Sequence, residues 1–437
     1  MTDSARKSRQ ASQARGAPAK ARGRPSKRHL KREALLEGAT ALFNARGIAG
    51  TSLSDVAEKL GLARASVYYY VNDRAELVFQ CYLRACERTA EDLAAASRAA
   101  AGFERISAFI GEALAPDRAQ SAVLSDIGYL DSPSAQVVKV ANDRNIATLI
   151  GFLEQGVEDG SVRPCDCEVA AQSIFGMIAW AQLTPQWVTG RHSRAFRTRL
   201  LGAVVSVVSH GLGRERAPFH CLIEADSFLP GRFNAFDRRE SAELKVEQLL
   251  GAASRLFNRN GIEATSLDHI TATLGATTGV FYHYLRDKSD LVTRCYERAF
   301  DLFERIAQTA KSQGTTGLER ALLVAHINAQ GQAGALSPLM PQPGLEALPD
   351  AYRGSLAARA NSLNKLVSGF LRQGVADGSC NPCDAALAAH MSAGAFGWLP
   401  KWLPEDDPRS PRRLADEICA LFSLGLRAPS NPTQSRT

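Results

Sequence analysis

One pattern is written into this chain twice, and that repetition limits the fold more than any other feature. LFNARGIAGTSLSDVAEKLGLARASVYYYVNDRAEL runs from Leu42 to Leu77, and LFNRNGIEATSLDHITATLGATTGVFYHYLRDKSDL runs from Leu256 to Leu291. The offset is a constant 214 residues, and 14 of the 36 positions are identical, without a gap. Gly47 pairs with Gly261, Thr51 with Thr265, Gly61 with Gly275, Tyr68 with Tyr282 and Tyr70 with Tyr284. The register extends through Cys81 and Tyr82 against Cys295 and Tyr296. A second duplicated block follows each copy, GFLEQGVEDGSVRPCDCEVAAQ from Gly151 and GFLRQGVADGSCNPCDAALAAH from Gly369, at an offset of 218. Each half is therefore the same small motif followed by a larger body, and a repeat of roughly 200 residues is far too long for a solenoid.

The 437 residues can bury two substantial cores. A hydrophobic content of 45% and a charged content of 22% suit a globular chain. The longest apolar stretches, such as LLGAVVSVVSHGL from Leu200, are too short to span a bilayer, and the polar opening has no secretory core. The expectation is a cytoplasmic, nucleoid-associated protein. The nine scattered cysteines do not make a disulfide framework. Cys165 with Cys167 and Cys380 with Cys383 differ in spacing between the copies, so the reading is ordinary small residues at a helix start rather than metal, and no cofactor is expected.

Charge is concentrated at one end. Residues 1–32 hold eleven Lys or Arg against Asp3 alone, which is +10 and leaves +7 − 10 = −3 for everything else. Such an arm is expected to be disordered alone and drawn to phosphate without regard to sequence. Within it, Arg22 and Arg24 flank Gly23 ahead of Pro25, a form that suits a narrow minor groove; a solubility tail is the competing reading. No matching arm precedes the second copy.

Apolar spacing predicts an all-α fold. Lys31 to Arg46 reads as a helix with Leu35, Leu36, Ala39, Leu42 and Phe43 on one face, ended by Gly47. Thr51 to Asp55 opens a second helix, Gly61 turns the chain, and Ala63 to Tyr70 is a short recognition helix. Asp73 caps the helix that enters the body. The second copy repeats these roles in Leu249–Asn260, Ser266–Leu274, Thr277–Tyr284 and Asp287 onward. Body helices are predicted over Phe103–Ala113, Ala135–Asp159, Cys167–Leu183 and Arg194–Leu212, then Leu318–Gln330, Ala351–Asp377, Asp384–Leu399 and Arg412–Leu426. No alternating β-branched run suggests a sheet. The domain plan is an arm at 1–30, helix-turn-helix units at 31–78 and 243–292, helical bodies at 79–213 and 293–428, a linker at 214–242 and a tail at 429–437.

At Gly61-Leu62-Ala63-Arg64-Ala65-Ser66-Val67-Tyr68-Tyr69-Tyr70, followed by Asp73-Arg74-Ala75-Glu76-Leu77, the sequence resembles the tetracycline-repressor (TetR) family of one-component regulators. Gly275 to Leu291 carries the same signature, so the whole chain resembles a tandem fusion of two such proteins. The resemblance implies two TetR-like units, each a helix-turn-helix domain with a helical ligand-binding and dimerisation-like body, and double-stranded DNA as the partner. It also implies that the residues at Tyr68 and Tyr70, and those at Arg74 and Lys288, touch phosphates. Chemistry agrees, because a phenol can donate to a phosphate oxygen and a cation at a helix start can clamp the backbone. One tyrosine of each pair packing the small core is the competing reading. Tyr69 and His283 are additional contact candidates, with Tyr282 and Tyr284 as the second unit's counterparts.

Base reading is expected from the first turn, with Arg64 suited to guanine and Ser66 to a weaker bond. The second copy offers Thr277, Thr278 and Gly279 instead, so the two half-sites should differ. Ala63 is a poor helix cap and Thr277 a better one. The resemblance further implies a four-helix bundle, supplied here by one chain as a pseudo-dimer, with homodimerisation through other surfaces left open.

Gly160-Ser161-Val162-Arg163-Pro164 with Trp180 and Trp187 is similar to the bodies of regulators that answer to acyl-coenzyme A thioesters. Gly378-Ser379-Cys380-Asn381-Pro382 with Trp398 and Trp402 is the second version. These aromatic residues would line an apolar tunnel or pack the core, and His326 and His390 read as satisfied helix residues. The function expected is a ligand-responsive repressor on a pseudopalindromic operator. DNA binding through the first unit alone and nonspecific nucleic-acid packaging are the alternatives. No nucleophile, phosphate-loop or metal motif supports an enzyme.

Overall fold

The computed structural model describes residues 27–183, 193–215, 217, 219–231, 238–343, 348 and 350–429. The first half contains α1 (Lys27–Arg46), α2 (Leu53–Lys59), α3 (Arg64–Val67), α4 (Arg74–Ala96), α5 (Gly102–Ala113), α6 (Ser132–Glu158), α7 (Cys167–Gln182) and α8 (Arg194–His210). The second contains α9 (Arg238–Asn260), α10 (Leu267–Thr273), α11 (Thr278–Tyr284), α12 (Lys288–Gln313), α13 (Gly317–Ala333), α14 (Asp350–Asp377), α15 (Ala385–Gly397), α16 (Leu399–Trp402) and α17 (Pro411–Leu424). The fold is all-α, and the described residues form no sheet beyond two isolated bridges, Val162 with Arg427 and Gly213 with Cys380.

Helix starts follow from local chemistry. Ser52 and Asp55 form a reciprocal capping box at α2, while Ser266 accepts from the His269 N–H at α10. Asp73 and Asp287 cap α4 and α12, and Asp166 and Asp384 cap α7 and α15. Thr51 and Thr265 turn inward instead, each hydroxyl donating to the carbonyl of Gly47 or Gly261. The cap expected from Thr277 is not made: α11 starts, like α3, without a side-chain cap hydrogen bond. Among the described side chains, burial of Val67 holds α3 and burial of Phe281 holds α11.

Each helix-turn-helix unit has its own small core. Leu35, Phe43, Val56, Val67, Leu77 and Tyr82 build the first, and Leu250, Phe257, Ile270, Phe281, Leu291 and Tyr296 the second. In each unit a buried arginine of the long helix ties the first helix down. Arg84 Nε meets Glu33 at 2.7 Å, and its equivalent Arg298 Nε meets Glu247 at 2.6 Å.

The bodies do not have separate cores. Leu149, Phe152, Ile174, Met177 and Val204 are continuous with Ala388, Met391, Phe396, Ile418 and Phe422. The helices α7, α8, α15 and α17 form the bundle implied by the family resemblance, and equivalent residues meet across a pseudo-twofold axis. Gly176 and Gly394, at equivalent positions, bring α7 and α15 into backbone contact. Gly211 and Gly425, at φ 70° and 67°, end α8 and α17 and also touch each other's backbone. Past these glycines the two chain ends exchange hydrogen bonds reciprocally. Leu212 N–H donates to Phe422 and Leu426 N–H to Val208, at 2.6 and 2.7 Å. Arg163 N–H donates to Leu426 and Asn381 N–H to Leu212, both at 2.8 Å. The duplicated Gly-Ser-Val-Arg-Pro segment and its second copy therefore serve the junction between halves, each laid against the end of the other.

The expected linker is also partly built into the fold. Cys221, Ala225 and Phe228 pack on Leu302, Ile306 and Ile327 of the second body. The Ala225 N–H donates to Gln330 Oε1 at 3.2 Å, and Gln330 Nε2 donates to Ile223 O at 2.8 Å. A chain crossing this surface buries backbone polar groups, and Gln330 satisfies them.

Candidate nucleic-acid interface and effector cavities

The recognition elements present polar side chains outward because Val67 and Phe281 point in. Tyr68 and Tyr69 are 45% and 63% exposed, and Tyr282 is 59% exposed. His283 is exposed as well, whereas Tyr70 and Tyr284 are half-buried against the two small cores. The competing readings for the paired tyrosines thus divide by position: the first ring of each pair faces solvent and the second packs. Arg64 and Ser66 are exposed, and Arg64 Nη2 donates to Tyr68 Oη at 3.2 Å. Arg28 of α1 stacks over the Tyr69 ring at 5.1 Å. Together these residues make a cationic, aromatic surface on the first unit. In the second, Thr277 is exposed and His283 lies edge-on to Tyr284. Arg22, Arg24 and Trp187 lie outside the described residues, as does the side chain of Thr278.

Of the two expected phosphate clamps, Arg74 already has protein partners and Lys288 is half-buried. Arg74 Nε donates to Tyr129 Oη at 3.0 Å, and its Nη1 reaches the carbonyls of Ile48 and Ala49 at 3.3 and 3.4 Å. Lys288 is half-buried, and burial holds its ammonium below the usual lysine pKa while Glu263 and Asp126 pull the other way. Each cation sits where the body meets the reading head.

Sequence reasoning missed the residues that join head to body. Asn44 Nδ2 donates to Ser121 O at 2.9 Å and its Oδ1 accepts from Val123 N–H at 3.1 Å. Its equivalent Asn258 repeats both bonds with Pro338 O and Met340 N–H, each at 2.9 Å. Identity of this asparagine in both copies, at an otherwise apolar helix end, was the available signal. Asn44→Ala is expected to leave a buried backbone group unpaired and cost about 1–3 kcal/mol. Urea titration measures that loss, and faster amide exchange at Val123 would locate it.

A further contact crosses between halves. Asp126 of the first body accepts from Glu263 N–H at 3.2 Å beside Gly261, where φ is 91° and no Cβ has room. Lys401 of α16 donates to Ser125 O at 2.5 Å, so one loop touches the second reading head and the second body together.

Two of the cavities among the described residues are closed by the opposite half. The larger, about 620 Å³, is walled by α4, α6, α7 and the loop at 121–128, and is closed by Trp398, Lys401 and Trp402 of the other half. The smaller, about 180 Å³, lies among α12, α13, α14 and α15 and is closed by Trp180 of the first half. Trp180 and Trp398 occupy equivalent positions, so each half lends its tryptophan to its neighbour's cavity. Of the two histidines read as satisfied, His326 is: its Nε2 pairs with Asp416 at 2.9 Å and its Nδ1 with Gln330 at 3.0 Å. His390 departs from that reading, because its buried Nε2 has no partner among the described residues.

Paired helix-turn-helix units on a shared helical body define the class of fold. Residues 35–81 and 249–295 both match the family described as bacterial regulatory proteins, tetR family. Residues 134–211 match the AefR-like transcriptional repressor C-terminal domain, and 320–426 the tetracyclin repressor-like C-terminal domain. The chain belongs to the TetR family, as two units consistent with a tandem duplication.

Among curated relatives, the HTH-type transcriptional regulator TtgR of Pseudomonas putida is 41% identical over 66 residues, 15% of this chain and 31% of that protein. AcrR of Shigella flexneri is 36% identical over 59 residues, 14% and 27% of the two chains. This chain thus spans about a third of the length of these relatives. A crystal structure of PfmR from Thermus thermophilus matches with 22% identity over 40% of this chain and 97% of that one, at a TM-score of 0.34. No described helix is long and apolar enough to cross a membrane.

Proposed function

We propose that this chain is a ligand-responsive DNA-binding repressor whose two heads read the unlike halves of one pseudopalindromic operator. The observation that carries the reading is a pair of equivalent recognition helices, each with an exposed tyrosine, joined through one pseudo-twofold core. Half-sites one turn apart lie about 34–36 Å apart on duplex DNA, so a small change between the bodies breaks many contacts at once. A ligand acts on such a pair only through its different affinity for the two arrangements. The larger cavity, with Lys401 and Arg259 on its wall, is our choice for an anionic effector such as an acyl-coenzyme A thioester.

Arg64 is assigned to base reading and Tyr68 to phosphate. Arg64→Ala is expected to weaken a selected site by about 1–3 kcal/mol more than a scrambled duplex. Arg74→Ala is expected to weaken both alike. Fluorescence anisotropy titrations at several salt concentrations measure both, and equal losses for the Arg64 variant would remove its reading role.

The burial of Lys288 and the Asp126 contact favour a second reading, in which the second unit chiefly supports the first. Tyr282→Ala combined with His283→Ala separates the two. An unchanged footprint and affinity would end the two-headed proposal.

A further inference from the structure

One loop of the first body, residues 121–129, is fastened to both heads. Its ends hold the first head. Asn44 of α1 donates to Ser121 O at 2.9 Å and accepts from Val123 N–H at 3.1 Å, and Arg74 of α4 donates to Tyr129 Oη at 3.0 Å. Its middle meets the second head. Asp126 Oδ1 accepts from Glu263 N–H at 3.2 Å, and a Cβ added at Gly128 would lie 3.1 Å from the Ala264 Cβ. Glu263 and Ala264 belong to the turn between α9 and α10.

Asp126 is held firmly from its own half. It is only 5% exposed, its N–H donates to Tyr82 Oη at 3.4 Å, and its Oδ2 accepts from Ser125 Oγ at 2.8 Å. Those bonds leave Oδ1 to the second head, in space that the missing side chain of Gly261 opens. A hydrogen bond to an ionised carboxylate is roughly twice as strong as a neutral one. The joint is also one-sided. In the second body Asn258 repeats the bonds of Asn44, and Gln342 N–H donates to Tyr296 Oη at 3.2 Å as Asp126 N–H does to Tyr82. The residue in the place of Asp126 is thus an uncharged amide, and among the described residues no hydrogen bond joins it to the first head.

We propose that Asp126 is a positioning residue that fixes the distance and twist between the two heads, and so selects operators by the number of base pairs between their half-sites. This deepens the two-headed operator reading and rests on it. One base pair more or fewer moves a half-site by about 3.4 Å along the duplex and turns it by about 34°. Heads hinged separately on their bodies can follow such a step. Heads fastened to one short loop follow it only by breaking the Asp126 bond.

The probe is a duplex selected from random sequence by the full chain, resynthesised with one or two base pairs added to or removed from its centre. In anisotropy titrations the wild type is expected to lose about tenfold or more in affinity at a single step, and Asp126→Ala about threefold or less. Asp126→Asn keeps Oδ1 as an acceptor and is expected to fall between them. Gly128→Val wedges the same joint from an exposed position, leaves the buried carboxylate in place, and is expected to relax the preference as Asp126→Ala does. Without DNA, amide exchange over residues 261–266 is expected to rise about tenfold in Asp126→Ala, while that of Val123 stays as in the wild type. A merely structural role would lower affinity equally at every spacing. Unaltered exchange, or full spacing discrimination kept by folded variants, would overturn the proposal alone. A wild type indifferent to spacing would overturn the two-headed reading and this proposal with it.

Discussion

Gly394→Ala is expected to destabilise the protein by about 2–3 kcal/mol, whereas Gly151→Ala stabilises it by up to about 1 kcal/mol. Both glycines lie inside helices, where alanine is the better helix former. A Cβ at 151 meets nothing within 4 Å. One at 394 would lie 2.6 Å from the Trp180 Cβ and 2.7 Å from the Gly176 carbonyl oxygen, so α7 and α15 must separate. Urea unfolding followed by circular dichroism compares the two directly. If both substitutions moved the midpoint the same way, close backbone approach would not be what joins the halves.

Lys401→Met is expected to stabilise the chain by about 1–3 kcal/mol at pH 7, with the gain fading above about pH 10. Lys401 is half-buried, and burial pushes its ammonium down to about 8, with Asp126 pulling the other way. Its folded value lies below the ordinary lysine value of 10.5, so between these limits the unfolded chain holds more protons. Stability from this group therefore rises with pH through that window, and below about pH 8 the full cost of burying the charge is present. The bond to Ser125 O offsets part of the cost, which sets the lower bound. Urea midpoints of the two proteins at pH 7, 9 and 10.5 give the difference. A variant less stable at pH 7 would mean that the Ser125 bond outweighs desolvation.

Much of the architecture was legible because it rests on local rules. The 214-residue offset, the Ser and Asp helix caps, and the turn glycines are short-range features, and the body helices end within a few residues of where apolar spacing placed them. The exposed Arg64, Tyr68, Tyr69 and Tyr282 likewise follow from one apolar residue anchoring a short helix. Thr277 failed as a cap because packing of Phe281, not a side-chain hydrogen bond, holds that helix. The polar ends of the two apolar blocks, Gln172 and His390, stood in plain view. Their meaning did not, since nothing in periodicity tells a cavity wall from packed protein.

The sequence by itself determined that this chain is two copies of one helical plan, because helix-forming patterns and caps depend on residues only a few positions apart. Tertiary structure alone decided how the copies depend on each other. It laid the Gly-Ser-Val-Arg-Pro segment and its counterpart against the opposite chain end, and sent Trp180 and Trp398 into each other's cavities. These pairings join residues far apart in the chain, 262 positions for Arg163 and Gly425. They exist because small glycines let two backbones meet at one axis, a geometry that no local pattern encodes.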